Sequence, residues 1–478
     1  MAEPVLSFGS RNFAGAELGD ERRSQRLPQL VDEMQRHPGG SLPEKLPRQA
    51  DLEAFYRLCD AEEVTHAAVL GPHRQRTLQY LQQSDHFVLS ISDATELDYT
   101  TRTTVAAQLG QIGKGTRRGF IVQNTLVVDP TLGIVVGLAN QVLHRRPQVS
   151  KGETAADCRQ RESRESRLWI RGTEDLPARR RVVGVYDRGA DTFEFLEHEV
   201  LSGRTFVIRA CYDRCIRAGH STEPGPSASL HLQQYARSLS AQGHCEVQVE
   251  QKLMSTQVKR KGKRRQWVRT RRTARLNVAF APVQILPPHE KKGEHGDQPL
   301  PVWIVRIWEP ETPEGEEPVE WILITNHPIE TVEAARLVKT WYEWRWTIEE
   351  LHKAMKTGCD IEDLQFQEVE RLEPAIGILS ILALSLLMLR DAARNPDAKN
   401  RRATDQYSED YVRVLCLWRH RHERPDWSLF EFSLALARLG GHQGNPTKKP
   451  PGWIVLWRGW EKLQLMVAGA TLHRYTVN

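Results

Sequence analysis

The sequence predicts a mixed α/β chain, with a strand-built middle and helical segments at both ends. Three observations carry that expectation. Two short apolar runs, HFVLSISD at 86–93 and VVGVYD at 182–187, each close on an aspartate. Residues 331–356 show the apolar spacing of a long amphipathic helix. The flanks carry helix signals, an Asp-capped basic segment near the N-terminus and an apolar run beyond residue 372.

The chain has 478 residues, enough for two to four domains. Hydrophobic residues at 40% and charged residues at 27% fit a globular core and exclude a disordered chain. The net charge of +5 is too small to demand a nucleic-acid partner by itself, but the cations are clustered. Seven cysteines are scattered, and only Cys211 and Cys215 lie close in sequence, with no second pair to complete a zinc site. They read as reduced thiols of a cytoplasmic protein. The first residues, MAEPVLSFGSRNF, lack the basic and apolar regions of a signal peptide. The longest apolar run, Pro374 to Leu389, is shorter than the roughly 20 residues of a membrane span. It predicts a buried helix and no membrane partner.

Along the chain, Asp20 caps a predicted helix whose stripe is Leu27, Leu30 and Met34, with Arg22, Arg23 and Arg26 on its exposed side. That basic side is either a solvated face or a DNA-binding arm. Pro38, Gly39, Gly40 and Pro43 break the helix, and a second runs near Glu53 to Leu58. The run at 86–93 is a strand ending at Asp93, and strands follow at 120–128 and 133–143. Residues 145–181 are arginine-rich and predict a helix and loops. A strand at 182–187 ends at Asp187, and 204–210 forms another. Residues 211–320 read as a β-rich insertion. It contains KRKGKRRQWVRTRRTAR, with ten basic residues between Lys259 and Arg275, the strand-like LNVAFAPVQIL, and a proline- and glutamate-rich linker at 287–318. WILIT at 321–325 returns to strand, 331–356 forms one helix and 372–392 an apolar one. The last hundred residues are rich in tryptophan, among them Trp418, Trp427, Trp453, Trp457 and Trp460.

Strand ends present side chains from a rigid base, so Asp93 and Asp187 are candidate ligands for a hard cation. The helix at 331–356 supplies a third carboxylate. At about 100° per residue, Tyr342, Arg345, Glu349 and Lys356 share one face along about 21 Å, with Lys353 beside them and Trp346 at the edge. Trp344, Ile348, Leu351 and Met355 face the other way. Glu350 is the rival carboxylate, about 100° from Glu349, and the cationic face selects Glu349.

The spacing Y-x-x-R-x-x-x-E-x-x-x-x-x-x-K, here Tyr342, Arg345, Glu349 and Lys356, resembles the YREK signature of bacterial cut-and-paste transposases of the insertion-sequence-four family. ISDATELDY around Asp93 and YDRGAD around Asp187 are similar to the same family, as are Glu17-Leu18-Gly19-Asp20 with Arg22 and Arg23, LALARLGG at 434–441 and WRGWEKLQ at 457–464. The resemblance implies a ribonuclease-H-like catalytic core at 71–371 with a β-rich insertion at about 211–320. It also implies a helical DNA-binding domain at 1–70 and a helical dimerisation domain at 372–478. It implies that Asp93, Asp187 and Glu349 hold two Mg²⁺ ions, for which Mn²⁺ substitutes. Tyr342, Arg345, Lys353 and Lys356 would hold the DNA end, Arg188 and Arg209 backbone phosphates, and Trp321 and Trp346 a base flipped from the stack. Core packing is the alternative for both tryptophans. The implied partners are double-stranded DNA with transposon end repeats, target DNA, and a second copy of the chain in a synaptic homodimer at the bacterial nucleoid. The implied reaction is nicking, hairpin formation and resolution, and strand transfer, all in-line phosphoryl displacements. The stretch between Asp187 and Glu349 is longer than the family pattern, and the region after Lys356 is shorter.

Overall fold

A computed structural model describes residues 6–147, 163–219, 230–249, 267–288, 295–314, 316–424, 426–444 and 450–476, and positions 152, 154, 157, 161, 252 and 253. The chain folds as two compact units, Met1–Lys151 with Trp346–Asn478, and Gly152–Arg345. Both are mixed α/β, and helices occupy both ends of the chain.

In the first unit, Asp20 caps the helix Glu21–Arg36 by accepting the Arg22 backbone N–H. Leu27, Leu30, Val31 and Met34 form its buried stripe, as the spacing predicts. The helix stops at His37, and helices Gln49–Cys59 and His66–Gln83 follow. The strands Val88–Asp98, Arg118–Asp129 and Ile134–His144 then pair antiparallel in sequence order. The first of these corrects an expectation. It does not end at Asp93 but continues to Asp98, with Asp93 opposite Asn124. What ends near Asp93 is continuous burial: Val88 to Ser92 are all buried, whereas of Asp93 to Asp98 only Leu97 is. The apolar run in the sequence marks the buried half of a longer strand.

The C-terminal part of the same unit is helical, with Val369–Arg394, Glu409–His420, Leu429–Leu439 and Trp453–Thr476. The 26-residue helix Val369–Arg394 is apolar enough to cross a membrane, yet 83% of its apolar window is buried inside the protein. It is the core helix expected from its composition. Trp427, Trp453 and Trp457 are also buried.

A buried network joins the N-terminal helices to the strands. His73 is fully buried, its Nδ1 lies 2.7 Å from Asn12 Oδ1, and its Nε2 accepts the Leu138 N–H at 2.8 Å. The ring must be neutral to donate at one nitrogen and accept at the other. Burial lowers its pKa to about 3, with Arg76 adding a smaller push. The unfolded ring has a pKa near 6.5, so the contribution of the neutral ring is complete above that value. It is lost as pH falls toward the folded value of about 3. Between pH 7 and pH 5 this one group removes about 2 kcal/mol. Thermal unfolding of the first unit should therefore move down by several degrees over that interval, and a flat Tm would contradict the assignment.

In the second unit, Val182–Tyr186 and Thr205–Arg209 pair parallel, joined through the helix Phe193–Leu201. All five residues of Val182–Tyr186 are buried, which suits a parallel strand covered on both faces. Glu320–Thr325 pairs antiparallel with Thr205–Arg209, followed by Leu300–Trp308 and the 14-residue Arg272–Ile285. The last strand takes Gly243–Val249 on one half and Cys215–Ala218 on the other. The segment expected to be β-rich, about 211–320, thus holds Cys215–Ala218, Gly243–Val249, Arg272–Ile285 and Leu300–Trp308. Leu300–Trp308 falls inside the segment expected to be a linker. Its PVWIVRIW core is strand-forming, but the prolines and glutamates on either side dominate the composition of 287–318. Much of the basic run, residues 259–266, lies outside the described residues.

The helix expected over 331–356 is interrupted. Val332–Glu343 ends at Trp344, and Trp346–Lys353 starts a new helix that passes into a π-turn, Ala354–Gly358. At the break the Arg345 N–H bonds to the Tyr342 carbonyl, three residues back rather than four. A single helical wheel therefore does not describe Tyr342 through Lys356. Within the second helix the predicted inner face stands: Ile348 and Leu351 are buried, as is Met355 in the π-turn.

Candidate functional site

In the second unit the predicted residues Asp187, Arg209 and Tyr342 sit at or beside the ends of elements. Asp187 directly follows the buried strand Val182–Tyr186. Its Oδ1 caps the short turn Arg188–Ala190 by accepting the Gly189 N–H at 2.7 Å. Arg209 ends the neighbouring parallel strand and donates to the Glu320 carbonyl at 3.1 Å. Tyr342 sits near the end of Val332–Glu343, 6% exposed, with its ring 5.7 Å from the half-buried Trp321 in an edge-on contact.

Burial raises the Tyr342 phenol above its ordinary pKa, and the guanidinium groups of Arg209 and Arg345 pull it partly back. Arg209 bonds to the Tyr342 side chain. Its own pKa is lowered by burial first, and Tyr342 opposes that shift while Arg188 and Arg345 reinforce it. Three guanidinium groups thus act on one another around a buried phenol, with Asp187 the acid acting on that phenol. Several guanidinium groups gathered around one phenol favour an anionic ligand such as phosphate.

In the first unit, Asp93 lies midway along Val88–Asp98, partly exposed, with Oδ1 accepting the Ala94 N–H at 2.8 Å. Glu349 lies in the first turn of Trp346–Lys353 and is partly exposed. The adjacent Glu350 is committed elsewhere: it pairs with the buried Arg390, which also holds Asp391. Trp346 is 61% exposed, so it is not a core residue, and Lys353 is exposed on the same helix. Lys356 lies in the π-turn, 3.7 Å from Glu362. Glu349, Trp346 and Lys353 line a cleft of about 670 Å³ completed by His442, Trp453 and Val455. His442 and Trp453 did not stand out in the sequence as site residues. The glycines of LALARLGG, which turn the chain back toward the cleft, were the available signal.

The N-terminal arginines are tied into local ion pairs. Arg22 bonds to Asp20 at 2.9 Å, Arg23 to Glu63 at 2.9 Å, and Arg26 to Asp51. Arg22 remains 90% exposed at its side chain, while Arg23 and Arg26 are about one-third exposed. Of the predicted basic side, Arg22 is therefore the most accessible.

A divalent ion would need hard oxygen donors. Asp93, Asp187 and Glu349 are carboxylates at partly exposed positions, which suits magnesium in donor type. Among the described residues, no three His, Cys, Asp or Glu side chains are gathered into a ready metal cage.

Residues 7–64 match the model of the family described as transposase DNA-binding. The match spans the capped helix Glu21–Arg36, the break after it and the helix Gln49–Cys59. It assigns a DNA-binding role of the transposase kind to the N-terminal helices.

Proposed function

We propose that the chain is a cut-and-paste DNA transposase of the insertion-sequence-four type, with Asp93, Asp187 and Glu349 as its reacting-centre carboxylates. The match of residues 7–64 to the transposase DNA-binding family carries this reading. Two features of the remaining chain support it: the cationic pocket around Tyr342, and the Glu349 cleft with an exposed tryptophan at its rim.

The three carboxylates would hold Mg²⁺, with Mn²⁺ as a substitute. When bound, such ions stabilise the attacking and leaving oxygens of an in-line phosphoryl displacement. The chain's own residues position the DNA. Arg188, Arg209 and Arg345 neutralise backbone phosphates, and the Tyr342 hydroxyl, already bonded to Arg209, orients one of them. Lys353 and Lys356, on the Glu349 segment, would hold backbone phosphates as well. Trp346 offers an exposed face on which an unstacked base can rest. The proposed sequence is nicking at a transposon end, hairpin formation and resolution, and transfer of the end into target DNA by a homodimer.

Strand transfer separates this reading from that of a metal-dependent nuclease. The full chain is incubated with Mg²⁺, supercoiled plasmid and a labelled duplex enriched by the protein from a random-sequence pool. A transposase covalently joins the label to the plasmid. Nicks without joined product would favour the nuclease, and binding with neither product would favour a DNA-binding protein without cleavage.

A further inference from the structure

We propose that the turn Asp360–Asp363 is a positioning element that ties the seat of the DNA-binding module to both the strand of Asp93 and the helix of Glu349, with Lys45 and Asp360 as its positioning residues. The role of Asp93 and Glu349 as reacting carboxylates rests on the reading above, but the mechanical connection does not.

The module side comes first. Lys45, within the segment matched to transposase DNA-binding, is 1% exposed. Its ammonium donates to the Gly40 carbonyl and sits in the field of Asp360, Glu44 and Asp363 beside the buried Cys359. Burying an ammonium is costly, and an apolar side chain would fill the same space without that cost. A lysine so placed answers to particular acids and cannot reach a DNA backbone. From the other direction, the Asp360 carboxylate accepts the Gly40 N–H at 2.7 Å. Gly40 has a φ of +77°, and a Cβ there would meet the Glu44 carboxylate at 2.5 Å. Asp360 itself is left-handed, with φ of 48°, a conformation held only where its surroundings over-determine it. A glycine at a positive φ that no other residue would take easily and a left-handed aspartate thus meet through one hydrogen bond. The Gln464 side chain, donating to the Arg36 carbonyl, ties the module again a few residues away.

The catalytic side leaves the same turn. Glu362 Oε1 accepts the Asp98 backbone N–H at 2.8 Å and lies 3.7 Å from Lys356 Nζ. The Tyr99 hydroxyl donates to the Ile361 carbonyl at 2.9 Å, and Arg102 bonds to Asp363 at 3.0 Å. Asp98 and Asp93 are on one strand, and Lys356 follows the helix of Glu349 without a loop. One four-residue turn is therefore bonded to the module, to the Asp93 strand and to the tail of the Glu349 helix. A strand and a helix transmit a shift along their length, and a 1 Å misplacement of a reacting group costs up to about 100-fold in rate.

The test uses the full chain and the duplex enriched from the random-sequence pool. Lys45→Met and Asp360→Asn are compared with wild type in duplex affinity and in single-turnover nicking with Mg²⁺. Both variants are expected to bind the duplex as tightly as wild type and to nick it about 10- to 100-fold more slowly once bound. Hydrogen exchange supplies a readout that simple loss of stability would not mimic. Duplex addition should slow exchange at the Asp98 and Tyr99 amides in wild type and leave it unchanged in Lys45→Met. If Lys45→Met does not fold, Asp360→Asn carries both measurements, because asparagine tolerates the left-handed backbone. Nicking at the wild-type rate in the folded variants, or binding and nicking falling in equal proportion, would overturn the proposal. If wild type binds but does not nick, the transposase reading has failed, and the exchange result alone decides the connection.

Discussion

Glu349→Ala is expected to bind duplex DNA as wild type does and to lose Mg²⁺-dependent nicking by about 10³-fold or more, roughly 4 kcal/mol of transition-state stabilisation. Glu349 lies on a helix whose inner face, Ile348 and Leu351, is fully buried, while Glu349 itself is partly exposed at a cleft. Truncation at this partly exposed position leaves the buried inner face intact, so the variant is expected to fold. Adding a chelator to wild type should reproduce the defect, and neither treatment should change duplex affinity. The neighbouring Glu350 supplies the control. Glu350→Ala breaks the pair with buried Arg390, so it should lower the Tm while the protein that remains folded still nicks. The opposite pattern, with Glu350→Ala inactive but stable and Glu349→Ala active, would move the third carboxylate by one residue.

The two glutamates also show how far the sequence could be read. Their alternation against a buried stripe was legible, because Ile348, Leu351 and Met355 recur at helical spacing. The cationic face favours Glu349 over Glu350 in the sequence, and in the structure Glu350 pairs with Arg390, forty residues away. No local pattern announces that partner. The break at Trp344 was hidden for a related reason. No proline or glycine marks it, since WYEWRW is made of residues a helix accepts, and packing within each unit decides where the helix stops. Asp93 misled in another way. An apolar run reports burial, not hydrogen bonding, and TELD pairs as well as VLSIS although, Leu97 apart, its side chains are only partly buried. Asp20 was read correctly because capping is local: the side chain and the N–H it accepts are two residues apart. The turn at Asp360 is not legible in the sequence, since its bonds to Gly40 and Asp98 span 320 and 264 residues.

Arg390→Ala should be among the most destabilising single substitutions in the first unit, at about 3–5 kcal/mol. Arg390 is 2% exposed on the core helix Val369–Arg394 and holds two carboxylates, Asp391 through its Nε at 2.8 Å and Glu350. Asp391 in turn accepts the Val135 N–H at 2.8 Å, fixing the start of the strand Ile134–His144. Removing the guanidinium takes away the principal counter-charge of buried Asp391 and leaves it the weaker pull of Arg394 and the Val135 N–H. Burial already raises the Asp391 carboxyl above its ordinary value against the pull of Arg390, so the substitution can only raise it further. A carboxyl with a folded pKa above the unfolded value of about 3.9 stabilises the fold only while protonated. The variant should therefore be least stable at neutral and alkaline pH, and should recover as pH falls through the raised folded value. Asp391→Asn placed on Arg390→Ala removes the buried charge and should restore part of the loss at pH 7, with little further gain on acidification. Chemical denaturation of the single and double variants at pH 5 and pH 8 measures both effects. Equal destabilisation at the two pH values would mean that lost packing of the arginine stem, rather than an uncompensated carboxylate, sets the cost.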